Sequence, residues 1–189
     1  MPEIYVALLR GINVGRAKRV AMADLRALVA DLGYGHVRTL LNSGNVLCTG
    51  PAEDPTALAA AIEKEVAARL GVSARVLVLT APTIAEAVAE NTLRSIADNP
   101  SRLLVAFFAA AGDARRVEAL TVQNWAPEVL AVGTSAAYLW CPDGVLASRL
   151  PAAVQRAATD AVTTRNWSTV MKLNVLSEEL RKTLEDATR

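Results

Sequence analysis

The chain has 189 residues, 52% hydrophobic and 21% charged, with a net charge of +1. Such a composition excludes a disordered chain, and the neutral balance excludes a global field drawing it to nucleic acid or an anionic membrane, so electrostatic recognition must be local. Two distant cysteines, Cys48 and Cys141, make no disulfide framework in a chain long enough to bury a core without staples, and both read as buried thiols.

The elements follow in order. Ile4 to Leu9 is a strand, apolar on both faces. Met22, Leu25, Leu28, Val29 and Leu32 recur at helical spacing, and Gly33 closes that helix. Val37 to Leu41 and Val46 to Thr49 form a hairpin around Asn42-Ser43-Gly44-Asn45, where Gly and Asn are available for positive φ. Asp54-Pro55 opens a helix carrying Leu58, Ile62, Val66 and Leu70, which ends at Gly71, and Arg75 to Thr80 is a fourth strand. The order is βαββαβ.

The second half repeats it. A helix from about Thr83 to Ser95 is expected to start with a capping box of Thr83 and Glu86. Arg102 to Ala109 is a strand, and Asp113 caps a helix running to about Gln123. Glu128 to Val132 and Ala136 to Cys141 form a hairpin around Gly133-Thr134-Ser135. Leu146 to Ala158 is helical, with Pro151 warning of a later start, and Ala161 to Thr163 is a short last strand. Ser177, followed by Glu178 and Glu179, is expected to cap a final helix. The expected fold is α+β: two tandem βαββαβ, ferredoxin-like halves with antiparallel sheets and an extra C-terminal helix. The boundaries are 1–81 for the first half and 82–189 for the second half with its helical extension.

In a split βαβ sandwich, strands one and three are central neighbours. The loop after strand one and the hairpin between strands two and three therefore lie at the same sheet end. The first, Arg10-Gly11-Ile12-Asn13-Val14-Gly15-Arg16-Ala17-Lys18-Arg19, holds four cations and no acid. Its glycines permit close approach, and its amides leading into a helix start form a generic anion receptor. Neither a Walker loop nor a dinucleotide fingerprint is present. From it, Arg10, Gly11, Asn13, Gly15, Arg16 and Lys18 are candidate ligand-binding residues. From the hairpin come Asn42, Ser43 and Asn45, whose competing role is plain turn chemistry. Arg165, Asn166 and Trp167 complete the set, expected to meet the first-half loops between the halves. Their competing role is to anchor a helix, with Trp167, Val170 and Leu173 at core spacing and Arg165 and Asn166 tying a cap.

His36 is the single histidine, so a catalytic triad or a His-rich metal site would depend on it. No metal and no cofactor is expected, and no catalytic residue is assigned. The untouched face of the first sheet should be covered by the second half or the C-terminal helix.

Ala7-Leu8-Leu9-Arg10-Gly11-Ile12-Asn13-Val14-Gly15, Met22-Ala23-Asp24-Leu25-Arg26, Asn42-Ser43-Gly44-Asn45-Val46 and Thr163-Thr164-Arg165-Asn166-Trp167-Ser168-Thr169-Val170 together resemble the bacterial family called domain of unknown function 1697. The resemblance runs from about residue 4 to residue 175. The family pattern has a second glycine after Gly15, where Arg16 stands here, and a glutamine before the hairpin serine, where Asn42 stands. It implies a cytosolic α+β protein with two related halves and carries no established activity.

The expected function is binding of an anionic or phosphate-bearing ligand at the cationic loops: a nucleotide, a sugar phosphate or a nucleic-acid end. Sheet-face RNA binding is disfavoured, since Tyr5 is the only aromatic on strand one and strand three has none. The alternatives are a metal-independent enzyme on an anionic substrate, with Ser43 as nucleophile and Lys18 or Lys172 as base, and a structural or regulatory interaction domain. The chain is expected to be cytoplasmic, with no secretory signal and no membrane partner, since the longest apolar run, Leu103 to Ala111, is too short to span a bilayer. Its oligomeric state is left open between monomer and weak dimer.

Overall fold

The computed structural model describes residues 2–13, 19–158 and 162–188. It is an α+β fold with two four-stranded antiparallel sheets of identical topology. By their contacts the residues fall into two compact units, Met1–Pro82 with Leu173–Arg189, and Thr83–Lys172.

In the first unit β1 (Glu3–Arg10), α1 (Met22–Asp31), β2 (Gly35–Leu40), β3 (Asn45–Gly50), α2 (Pro55–Glu65) and β4 (Arg75–Thr80) follow in order. The sheet order is β2-β3-β1-β4, so β1 is central and pairs with both β3 and β4. Alternation along β1 places Tyr5, Ala7 and Leu9 in one core with Leu25, Leu28 and Val29 of α1 and Leu58 and Ile62 of α2. Ile4, Val6 and Leu8 on the opposite face are buried as well, as the two-sided apolar run demands. The Asp54 side chain accepts from Thr56 N (2.9 Å) to start α2, which continues as a π-helical turn to Leu70 and stops at Gly71 in the left-handed region.

The second unit repeats the plan. α3 (Ala81–Glu90), whose first two residues still belong to the first unit, and a 3-10 turn (Thr92–Ser95) precede β5 (Leu103–Phe108). Then come α4 (Ala111–Glu118), β6 (Val129–Val132), β7 (Ala136–Trp140), α5 (Leu150–Ala157) and β8 (Val162–Asn166). The sheet order is β6-β7-β5-β8, the counterpart of the first. Leu104, Ala106 and Phe108 share a core with Val117, Leu150 and Val154, while Tyr138 donates to Ala87 O of α3 (2.8 Å).

Several helix and strand ends differ from the sequence expectation. α3 starts at Ala81, directly off β4, so Thr83 lies inside the first turn and does not cap it; the helix stops at Glu90, where the Asn91 side chain accepts from Leu93 N (3.0 Å). Asp113 is the third residue of α4, not its cap, and its buried carboxylate accepts from Ala110 N (3.0 Å). α4 ends at Glu118, short of Gln123. The last strand is longer than expected and carries Arg165 and Asn166. α6 runs unbroken over Trp167–Asp186, so Ser177 is a mid-helix residue and caps nothing. Its buried hydroxyl donates to Leu173 O one turn back (2.8 Å), the bond that satisfies a serine inside a helix.

Candidate functional site

The hairpin of the first unit is closed by a residue of unexpected type. Positive φ falls on Leu41 (58°) and Gly44 (77°), and neither Asn42 nor Asn45 adopts it. Asn45 is fully buried and holds the turn from within, its Nδ2 donating to Leu40 O (2.8 Å) and Ser43 Oγ (3.0 Å). Leu41 is thereby left 52% exposed, in a backbone region that costs a side-chain-bearing residue about 1–2 kcal/mol.

The loop after β1 packs against this hairpin. Leu9 N donates to Gly44 O (2.8 Å), and a Cβ built on Gly44 would lie 2.7 Å from Ile12 Cδ1 and 2.8 Å from Leu9 Cβ. Only a glycine there lets Ile12 seat in the core at 3% exposure. Asn13, at φ 55°, spends its side-chain amide on the same junction. Nδ2 donates to Asn42 O (2.8 Å) and Val20 O (3.0 Å), and Oδ1 accepts from Val20 N (2.8 Å). One side chain thus pins both ends of its own loop and the neighbouring hairpin.

Together these segments line an open groove of about 680 Å³. Ile12, Asn13, Arg19, Val20, Ala21 and Met22 come from the loop after β1 and the start of α1, and Leu41, Asn42 and Ser43 from the hairpin. α1 begins in this groove. Its cap position is Ala21, which supplies no side-chain acceptor to the first-turn amides. Asp24 in that turn is exposed. Arg19 is exposed and cationic.

Of the residues expected from sequence, Asn13, Asn42 and Ser43 line the groove, while Arg10, Gly11 and Asn45 do not. Arg10 ends β1 in register with Arg75, and Gly11, at φ 85°, turns the chain out of the strand. Gly15, Arg16 and Lys18 lie outside the described residues. Arg19, Ala21, Met22 and Leu41 line the groove without having been candidates. Arg19 was visible as part of the basic run, whereas nothing in a leucine announces a left-handed turn position.

Arg165, Asn166 and Trp167 belong to the second unit. Arg165 pairs in register with Val105 and donates to Thr164 O (2.9 Å). Burial pushes its guanidinium down to about 10, which keeps it charged at neutral pH. Asn166 is the cap of α6, its Oδ1 accepting from Thr169 N (2.9 Å). Trp167 opens that helix half-buried, while Val170 and Leu173 are fully buried.

The second unit has a groove beside its own hairpin, about 470 Å³, lined by Glu90, Ala114, Glu118, Val132, Gly133 and Thr134. Here a carboxylate of the chain itself sits on the hairpin. Glu90 Oε2 accepts from Thr134 N (2.9 Å) and Oε1 from Thr134 Oγ1 (2.7 Å). Any side chain at Gly133 would collide with Glu90 Oε2.

Other chemistry is sparse. His36 lies in β2, and its Nδ1 is 3.0 Å from Thr49 Oγ1. Cys48 and Cys141 are buried free thiols, and burial pushes Cys48 up to about 12, away from the reactive thiolate. Among the described residues no three of His, Cys, Asp or Glu gather as a metal site, and no helix is long and apolar enough to cross a membrane.

The family model described as a protein of unknown function, DUF1697, matches residues 3–138. The chain belongs to that family. A solved structure of a conserved bacterial protein from Streptococcus pneumoniae is similar, with a TM-score of 0.69 and 23% sequence identity; the match covers 94% of this chain and 99% of that one. At that identity the likeness establishes the fold alone. No curated protein matches.

Proposed function

We propose that this DUF1697 member is a binding protein for a small anionic ligand, a phosphate-bearing one such as a nucleotide or sugar phosphate, held in the first-unit groove. The observation that carries the reading is the convergence of Arg19, the start of α1 with alanine at its cap and the Asn42-Ser43 hairpin on one open space. Helix-start amides and an arginine both favour negative charge. Ile12, Val20, Met22 and Leu41 offer an apolar wall beside them, suited to the uncharged body of such a ligand.

Binding is favoured over catalysis by the chemistry of the lining. Its described residues include no histidine, lysine, aspartate or glutamate. A serine acts as a nucleophile when a general base stands beside it, and the described lining supplies none of those types. Tyr5 also argues against base stacking on the sheet. It belongs to the core shared with the helices, and its hydroxyl donates to Pro51 O (2.9 Å).

The test is a thermal-shift and calorimetric screen of nucleoside monophosphates, sugar phosphates and inorganic phosphate. At one hundred times its dissociation constant, a ligand should stabilise the fold by about 2.7 kcal/mol. Arg19→Ala should weaken binding roughly tenfold through one lost charge-assisted bond. A screen with no hit, or a hit that Arg19→Ala binds equally well, sinks the reading.

A further inference from the structure

Backbone conformation singles out one residue of the first groove. Among the described residues, three that are not glycine hold a positive φ: Asn13, His36 and Leu41. Asparagine and histidine are enriched in that region, whereas a bulky leucine there is an outlier. Asn13 makes three side-chain hydrogen bonds from its position, and His36 sits where the pairing of β2 with β3 shifts register. At Leu41 burial does not offset the cost, since the side chain is left 52% exposed. A glycine or an asparagine would close the same turn with less backbone strain.

Exposure alone is ordinary. Ile96, Val122, Leu146 and Val175 are comparably exposed or more so, and none of them has a positive φ. Leu41 combines exposure with an unfavourable backbone, and it does so on a concave surface. The rest of the apolar lining is committed elsewhere: Ile12 and Val20 are buried in the core, and Met22 packs half-buried against it. Leu41 is thus the one large apolar side chain of the described lining that stands exposed. Strain kept at a ligand-sized groove, with no gain to the core, is a mark of function.

We infer that Leu41 is a specificity-determining residue of this groove, holding the base of a nucleotide by its flat apolar face. The inference rests on the binding reading above and narrows its ligand to a nucleoside phosphate. Arg19 and the start of α1 suit the phosphate end, and Leu41 with the exposed Asn42 beside it suits the other. A bare sugar carries hydroxyls over its whole body, and setting them on a leucine strips them of water with no hydrogen bond in return. A nucleobase has an apolar face and a polar edge, which match the methyl groups of Leu41 and the amide of Asn42. The groove, at about 680 Å³, lies in the size range that takes such a ligand.

The experiment is titration calorimetry with adenosine monophosphate, cytidine monophosphate and ribose 5-phosphate. At least one nucleotide should bind roughly tenfold or more tighter than ribose 5-phosphate. Leu41→Asn should weaken that nucleotide about fivefold, the loss of roughly half a leucine's burial, and leave ribose 5-phosphate within about twofold. Leu41→Met keeps an apolar side chain and should bind the nucleotide as the parent does. Asparagine suits the left-handed turn, so Leu41→Asn should keep the parent's melting temperature or exceed it. A fall of more than about 5 °C, or a variant that fails to fold, would show that the leucine serves the fold and would overturn the inference. Ribose 5-phosphate bound as tightly as both nucleotides, or a nucleotide that Leu41→Asn holds unchanged, would overturn it too and leave the groove reading standing. No binding of any of the three probes would remove both.

Discussion

At the scale of single residues, Asn13 decides the shape of the groove. Its three side-chain hydrogen bonds hold Val20 and Asn42, two points that the chain separates by 22 residues (42 − 20). It does so from a left-handed backbone position that asparagine tolerates better than most residues. Asn13→Ala should therefore destabilise the protein by about 2–4 kcal/mol, the sum of modest net bond energies and a backbone penalty. Asn13→Asp keeps the acceptor toward Val20 N but sets a carboxylate against two carbonyls, so it should do no better. Urea denaturation of both variants checks this; a loss under about 0.5 kcal/mol in each would show that the loop holds without the clamp. The polar types and glycines of the two loops were legible in the sequence, and so was their meeting at one sheet end. The use of each residue was not. Asn13 and Asn45 look like ligand groups in a one-dimensional reading, yet most of their hydrogen-bonding capacity is spent on the fold. Arg19 and Leu41 owe their place in the groove to turn geometry that composition does not encode.

At the scale of elements, strands and hairpins follow from apolar runs and turn residues, and all but the longer last strand lie close to where those runs put them. Helix starts were harder to read, for a physical reason. Serine, threonine and aspartate satisfy backbone groups both at caps and inside helices, so residue type alone does not locate a helix start. Ser177 and Asn166 make the point. Both are polar residues on or before α6, but Asn166 accepts from Thr169 N at the helix start and Ser177 bonds back to Leu173 O in mid-helix. Asn166→Ala should cost about 1 kcal/mol, the usual loss for a cap. Ser177→Ala removes a single internal bond that competes weakly with the helix, and should change stability by less than about 0.5 kcal/mol. Thermal melts of the two variants side by side give the answer. A larger loss for Ser177→Ala than for Asn166→Ala would mean that α6 is held by its middle and not by its start.

At the scale of the whole molecule, the first unit is discontinuous. Its contacts gather Met1–Pro82 with Leu173–Arg189, so the chain leaves the first unit after β4 and rejoins it along α6. Leu173, Ser177 and Leu180 in that returning segment are buried. Fully burying one leucine stabilises by about 1.5–3 kcal/mol, so the segment represents roughly 3–6 kcal/mol from its two leucines, comparable to the net stability of many domains. A chain cut after Lys172 should therefore lose much of the first unit's stability, even though the cut lies 92 residues beyond the end of β4 (172 − 80). Amide hydrogen exchange resolves where the loss falls. Protection should drop across β1, β3 and β4, while the β5 and β7 amides keep most of theirs. If the cut chain instead exchanged as slowly in β1 as the full protein, the returning helix would be an appendage. An equal loss in both sheets would mean that the two units unfold as one, so that a ligand in the first groove would raise the stability of the second sheet as well.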